Sequence, residues 1–186
     1  MIRCEWAGSD PIYVEYHDKE WGVPLHDDSR LFEYLILEGA QAGLSWITVL
    51  KKRDNYRRAM EGFNPFTVAA YSDVDIKRLL SDKGIVRNRS KIESSIQNAK
   101  AVIEITKEYG SLNTYLWKHV GGEPIVNKFK SVTEIPSYST SAERLSQKLK
   151  YRGFKFVGPT IIYAFMQATG LVNDHVTDCF RHKDLI

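Results

Sequence analysis

Lys148-Leu-Lys-Tyr-Arg-Gly153-Phe-Lys-Phe-Val-Gly158-Pro-Thr160 closes one helical pattern at a glycine and opens the next at Gly-Pro. The flanking stretches 141–151 and 160–169 read as helices joined by a tight, glycine-bounded turn, a helix-hairpin-helix element over about 141–169. Glycines let backbone approach a ligand closely, and free N–H groups at a helix start favour an anion. With Lys155 between them, Gly153 and Gly158 point to a phosphate contact, although any tight turn between helices uses glycine.

Outward from the hairpin the pattern stays helical. Asp28 or Ser29 is placed to cap an apolar helix from about Leu31 to Ala42, and Ser45 caps a second from Trp46 to Met60. Asn64-Pro65 opens a short helix, and Ser72 with Asp75 forms a capping box for another. Ile92, Ile96, Ala99 and Ile103 keep helical spacing through 90–109, and Ser111 starts one more helix. The first thirty residues read as irregular and 121–140 as loop. No strand-length alternation appears. The expectation is an all-α, compact helical fold forming one domain over 1–186, without internal repeats.

The 186 residues are 43% hydrophobic and 26% charged, as in an ordinary globular protein. No apolar run approaches the ~20 residues of a membrane span. The N-terminus carries charge where a signal peptide is apolar, so the cytoplasm is expected and no membrane partner. Net charge is only +3. The cations cluster, however: Lys51, Lys52, Arg53, Arg57 and Arg58; Arg87, Arg89 and Lys91; Lys148, Lys150, Arg152 and Lys155. Each cluster is either a solvated helix face or part of a phosphate-binding surface.

The two cysteines, Cys4 and Cys179, stand at opposite ends, each near a histidine: Cys4-x12-His17 and His175-x3-Cys179. Helical i, i+4 spacing would bring the second pair within reach of one ion. The residues fit either buried, metal-free side chains or four ligands of a closed tetrahedral zinc site, which holds structure and does no chemistry. Glu38 shares a helix face with Leu31, Leu35 and Ala42, so it points inward. A buried carboxylate needs a partner or a function. The alternatives are a salt bridge and a carboxylate lining a ligand pocket walled by tryptophan and tyrosine.

Five stretches together resemble the type I 3-methyladenine DNA glycosylases of the helix-hairpin-helix superfamily. They are Arg3-Cys-Glu-Trp6, Tyr16-His-Asp-Lys-Glu-Trp-Gly-Val-Pro24, Leu37-Glu-Gly-Ala-Gln-Ala-Gly-Leu-Ser-Trp-Ile-Thr-Val-Leu-Lys-Lys-Arg53, Arg152-Gly-Phe-Lys-Phe-Val-Gly158 and Gly170-Leu-Val-Asn-Asp-His175. They span nearly the whole chain in order. The resemblance implies one structural zinc at Cys4, His17, His175 and Cys179. It implies a base pocket of Glu38, Tyr16 and Trp46, with Trp6, Tyr13 and Trp21 around it. Gly43 and Leu44 would lie at the DNA gap, Leu44 as a plug.

The activity implied is hydrolysis of the glycosidic bond of flipped-out 3-methyladenine in double-stranded DNA, in base-excision repair of alkylation damage. Free 3-methyladenine would be the product, and nothing suggests an obligate dimer. Many superfamily members carry a V-D-x-H signature whose aspartate assists cleavage. Here Val172-Asn173-Asp174-His175 puts asparagine there, and the hairpin lacks the strand-cleaving lysine of some relatives, which implies a monofunctional enzyme. A zinc-stabilised nucleic-acid-binding module would explain the cations and the metal but gives Glu38 no role. A zinc hydrolase fails because four protein ligands leave no site for water.

Overall fold

The computed structural model describes residues 1–185; Ile186, the end of the expected domain span, lies outside them. The described helices are α1 (Pro11–Lys19), α2 (Asp28–Gln41), α3 (Trp46–Ala59), α4 (Pro65–Ala69), α5 (Asp73–Ser81), α6 (Arg89–Tyr109), α7 (Leu112–His119), α8 (Thr140–Tyr151), α9 (Pro159–Ala168) and α10 (Phe180–Asp184). No helix among them is long and apolar enough to cross a membrane.

Two expectations about local structure are corrected. The aromatic N-terminal stretch contains α1, because Asp10 accepts from the Ile12 N–H and Pro11 occupies the first helical position. Its aromatic and charged residues form no clean apolar stripe, so only the cap announces it. The other correction is a parallel pairing of β1 (Ile125–Val126) with β2 (Val172–Asn173), in register Ile125 to Val172. Two residues are too few for alternation to register in sequence. The pairing clips the 121–140 loop against the segment that follows α9.

α2 is the central element. Every residue from Leu31 to Ala40 is buried, and the helix packs against α3, α6, α7 and α9. Asp27 caps it, accepting from Arg30 N. Asp28, one of the two caps expected, instead accepts from the Leu112 and Asn113 N–H groups at the start of α7. The expected α5 capping box is present.

The two ends of the chain meet behind α2. Gly22 N donates to Gln167 O and Leu25 N to Thr169 O, while Phe180 N donates to Ile2 O. Gly170, at φ +71°, makes this approach possible, since a Cβ there would stand 2.4 Å from backbone atoms of Val23 and Pro24. Gly170→Ala is therefore expected to destabilise the protein by about 4 kcal/mol or more, the extreme of single substitutions. Urea unfolding followed by circular dichroism measures this. A loss below about 1 kcal/mol would mean that residues 22–25 simply move aside.

Candidate active site and metal centre

A cavity of about 350 Å³ opens near the C-terminal end of α2. Trp6, Tyr13, Tyr16, Trp21, Glu38 and Trp46 all line it, so the residues expected of a base pocket converge. α1 supplies Tyr13 and Tyr16, α2 supplies Glu38, and the first residue of α3 is Trp46. The rings brace one another: Trp6 meets Trp21 edge-on at 4.9 Å and Tyr13 at 5.8 Å, and Tyr16 lies 5.6 Å from Trp46. The Tyr13 hydroxyl accepts from Ile47 N, tying α1 to the first turn of α3. Trp46 Nε1 is buried and finds no acceptor among the described residues, a donor that a ligand can satisfy.

Glu38 is 4% exposed. Burial alone acts on it, pushing its carboxyl up to about 8 with no cation to oppose the shift. Its neighbours along α2 and in the loop before it differ. Glu33 is held by Arg57 at 2.8 Å. Glu20 accepts from Arg53 at 2.7 and 2.8 Å and from the Tyr34 hydroxyl at 2.8 Å. Burial disfavours the Glu20 carboxylate, but the Arg53 guanidinium outweighs it and holds the group below its ordinary range. The salt-bridge alternative thus describes Glu33 and Glu20. Glu38 is a neutral carboxyl at pH 7 in the ligand-free cavity.

Behind the aromatic wall, Cys4, His17, His175 and Cys179 are all buried, with their ligand atoms within 4.8 Å of one another. His175 Nδ1 lies 3.6 Å from Cys4 Sγ and 3.5 Å from Cys179 Sγ, and His17 Nε2 lies 3.4 Å from Cys179 Sγ. Tetrahedral coordination with bonds of ~2.3 Å to sulfur and ~2.0 Å to nitrogen spaces ligands by about 3.3–3.8 Å, so the set fits a metal ion. The remaining ring nitrogens are engaged: His17 Nδ1 with Asp18 Oδ1 at 2.8 Å, His175 Nε2 with Trp21 O at 2.9 Å. Such partners fix the tautomer and aim the other nitrogen's lone pair at the metal. Burial pushes the Cys4 thiol up to about 12 and holds His175 down to about 4, so both favour their neutral forms, and a bound divalent ion would displace the Cys4 thiol proton.

The expected helical basis for the His175–Cys179 pair is corrected. Both precede α10, and a turn closed by Cys179 N to Val176 O brings them together. The ligands also reach the cavity: Trp6 packs edge-on against His17 at 5.3 Å, and Trp21 against His175 at 4.6 Å.

The loop after α2 and the hairpin between α8 and α9 lie outside the cavity lining. Gly43, at φ +80°, has open space where a Cβ would stand, and Leu44 is 41% exposed. In the hairpin, Gly153 takes φ +87° and Gly158 leads into Pro159 at the head of α9. Lys155 is exposed. Its backbone is pinned by Asn98, which accepts from Lys155 N and donates to Lys155 O.

The basic clusters are open to two readings in the sequence, solvated helix faces or a phosphate-binding surface, and several of their cations have acidic partners. Lys51, Arg53 and Arg57 pair with Asp10, Glu20 and Glu33. Arg89 pairs with Glu93, and Arg152 with Glu108. Charge runs in a sequence do not reveal which cations have acidic partners elsewhere in the chain.

Cavity residues that the sequence did not single out include Gln41, Gln167 and Ile135. Gln167 donates to Asp174, which also accepts from Asn127 and Tyr163. Asp174 is fully buried, and its position beside a ligand histidine was the only available signal. Asn173 is fully buried and its side-chain amide is engaged by backbone, donating to His182 O and accepting from His175 N.

Comparison with known proteins agrees with this geometry. The methyladenine glycosylase family model matches residues 6–182. DNA-3-methyladenine glycosylase 1 of Escherichia coli (strain K12) is 50% identical over 179 residues, 96% of each chain. A crystal structure of 3-methyladenine DNA glycosylase I (TAG) is 50% identical with a TM-score of 0.93, covering 96% of this chain and 98% of that one. Another such glycosylase, a variant in complex with 3-methyladenine, is 38% identical with a TM-score of 0.93, covering 97% of each chain. The chain belongs to the methyladenine glycosylase family.

Proposed function

We propose that this protein excises 3-methyladenine from alkylated double-stranded DNA as a monofunctional DNA-3-methyladenine glycosylase, leaving an abasic site and releasing the free base. The observation that carries the reading is Glu38, a buried carboxyl in an aromatic cavity, with no charged partner among the described residues. A neutral ligand gives such a group little reason to ionise. N3-methylated adenine in DNA is cationic. Placed against the tryptophan and tyrosine rings it gains cation–π attraction, and its charge supplies the counter-ion that Glu38 lacks. Glu38 then gives up its proton and accepts hydrogen bonds from the exocyclic amine. Trp46, Tyr16, Trp6, Tyr13 and Trp21 wall the flipped base.

Cleavage of the glycosidic bond lets the base leave as a neutral molecule, so no strong acid is needed. Water attacks the sugar carbon. Asn173 is occupied structurally, and Gly158 is followed by Pro159, which supplies no amine for strand cleavage. Leu44, carried by Gly43, fills the gap left by the flipped nucleotide, while Gly153, Lys155 and Gly158 hold the backbone in a helix-hairpin-helix contact. Cys4, His17, His175 and Cys179 hold one zinc ion in a closed site that stiffens the wall behind Trp6 and Trp21. The protein acts as one domain over 1–186, as a monomer in the cytoplasm.

Base release from methylated duplex DNA tests the reading. Wild type is expected to release 3-methyladenine selectively, and Glu38→Gln to lower kcat/KM by about 10- to 100-fold, the scale of one charge-assisted hydrogen bond. Duplex binding without base release, and no tryptophan quenching by free 3-methyladenine, would leave a plain binding module.

Stability should carry the same signature. Glu38 holds its proton up to about pH 8 when folded and up to about 4.5 when unfolded. Between these values only the folded state binds the proton, so stability falls as pH rises. Glu38→Gln should match wild type below this window and exceed it by several kcal/mol near pH 9. Parallel urea midpoints across the range would contradict a neutral Glu38.

Elemental analysis should find one zinc per chain. Its removal by a chelator is expected to lower the thermal midpoint by about 10 °C. A metal-free protein with an unchanged midpoint would exclude the structural role.

A further inference from the structure

Lys91 sits in the cationic run Arg87, Arg89, Lys91, yet its ammonium turns inward. Lys91 Nζ donates to Ala40 O at 2.8 Å and Ala42 O at 2.7 Å. These carbonyls end α2, where a helix leaves acceptors without intrahelical partners and presents the negative end of its dipole. Ala42 leads directly into Gly43 and Leu44. The lysine thus fixes the root of that exposed loop from a different helix.

Two turns further along α6, Asn98 is 2% exposed. Its side-chain amide spans the hairpin backbone: Nδ2 donates to Lys155 O at 3.0 Å, and Oδ1 accepts from Lys155 N at 2.8 Å. Residues seven apart share a helix face about 10 Å apart. One face of α6 therefore grips the loop after α2 and the hairpin together. α2 and the hairpin also touch directly, where a Cβ on Gly39 would stand 3.2 Å from Phe156 Cβ.

We infer that α6 is the spacer that sets the distance between the Leu44 loop and the Lys155 hairpin, with Lys91 and Asn98 as positioning residues for DNA engagement. The inference rests on the glycosylase reading for what those two loops contact. Duplex DNA presents gap and phosphate at a fixed separation, so both loops engage at once only if their own spacing is already held. A loop freed from Lys91 must be ordered during binding, and that cost falls on duplex affinity. The base cavity is lined by neither residue, and of the segment that Lys91 holds only Gln41 reaches it, so affinity for the free base should change far less than affinity for duplex.

Lys91→Met, Lys91→Arg and Asn98→Ala test this. Duplex affinity is read by fluorescence anisotropy on DNA with a stable abasic-site analogue and on undamaged DNA. Base affinity is read by tryptophan quenching with free 3-methyladenine. Lys91→Met is expected to bind the abasic duplex about tenfold more weakly (about 1.4 kcal/mol) and to lose much of its preference over undamaged DNA. Its affinity for the free base stays within about twofold of wild type, and Lys91→Arg recovers most of the duplex loss.

Asn98→Ala weakens both duplexes alike, because the hairpin contact ignores the lesion. Unchanged abasic-duplex binding in Lys91→Met would overturn the inference. So would parallel loss of base and duplex affinity, the mark of general loosening. Wild-type base release checks the glycosylase reading separately: a wild type that binds the abasic duplex but releases no base sinks that reading, and the duplex comparison still decides the spacer.

Discussion

Everything in the site depends on closing the chain on itself at Cys4, His17, His175 and Cys179. Four buried side chains from opposite ends come within 4.8 Å, and backbone hydrogen bonds from Gly22, Leu25 and Phe180 run alongside. Joining such distant segments costs closure entropy, though that cost grows only slowly with loop length. What the closure achieves is mechanical. His17 and His175 are the surfaces on which Trp6 and Trp21 rest, so the cavity wall is only as rigid as the cluster behind it. Asp18 and the Trp21 carbonyl orient the two rings, which makes the wall and the cluster one unit.

Against this fixed wall stands a helix whose acidic residues are treated unequally. Glu33 and, just before α2, Glu20 each have an arginine from α3. Those arginines belong to the densest cationic run in the sequence. Glu38, on the same helix, has none among the described residues. Burying a carboxylate without a counter-charge is costly enough that the group keeps its proton instead. In the proposed reading this asymmetry gives the cavity its chemistry. A pocket with a resident cation would repel a charged base, whereas one with a neutral carboxyl can accept it.

Much of this was legible in the residues. Helical spacing and caps located α2, α3, α6, α8 and α9, because those elements carry periodic apolar faces. α1 escaped because its aromatic residues line a cavity and a cluster, which breaks the stripe. The β1–β2 pairing escaped because two residues carry no period. Glu38 was visible as a carboxylate in an apolar helix, but its lack of a partner was not, since pairing is a long-range property. For the same reason the acidic partners of Lys51, Arg53 and Arg57 were not visible in the sequence. The buried Cys/His cluster was suggested by spacing, although through a helical geometry that α10 begins too late to provide.

The same arrangement that favours a cationic base limits what the site can do to the bond. Contacts of the rings and Glu38 with the charged base are strongest before cleavage, when the charge is still on the base. As the bond breaks, positive charge moves to the sugar and the base becomes neutral. Such contacts select the substrate and do not by themselves lower the barrier, since only interactions that strengthen toward the transition state do that. In the proposed reading the damaged nucleotide supplies the lability, and the protein supplies extrusion, water access and discrimination. In that reading unmodified adenine would fail on each count: it brings no charge to ionise Glu38, gains less from the rings, and leaves as an anion, while the Asn173 side chain is engaged with His182 O and His175 N. In that reading, selectivity follows from the protonation state of one buried carboxyl.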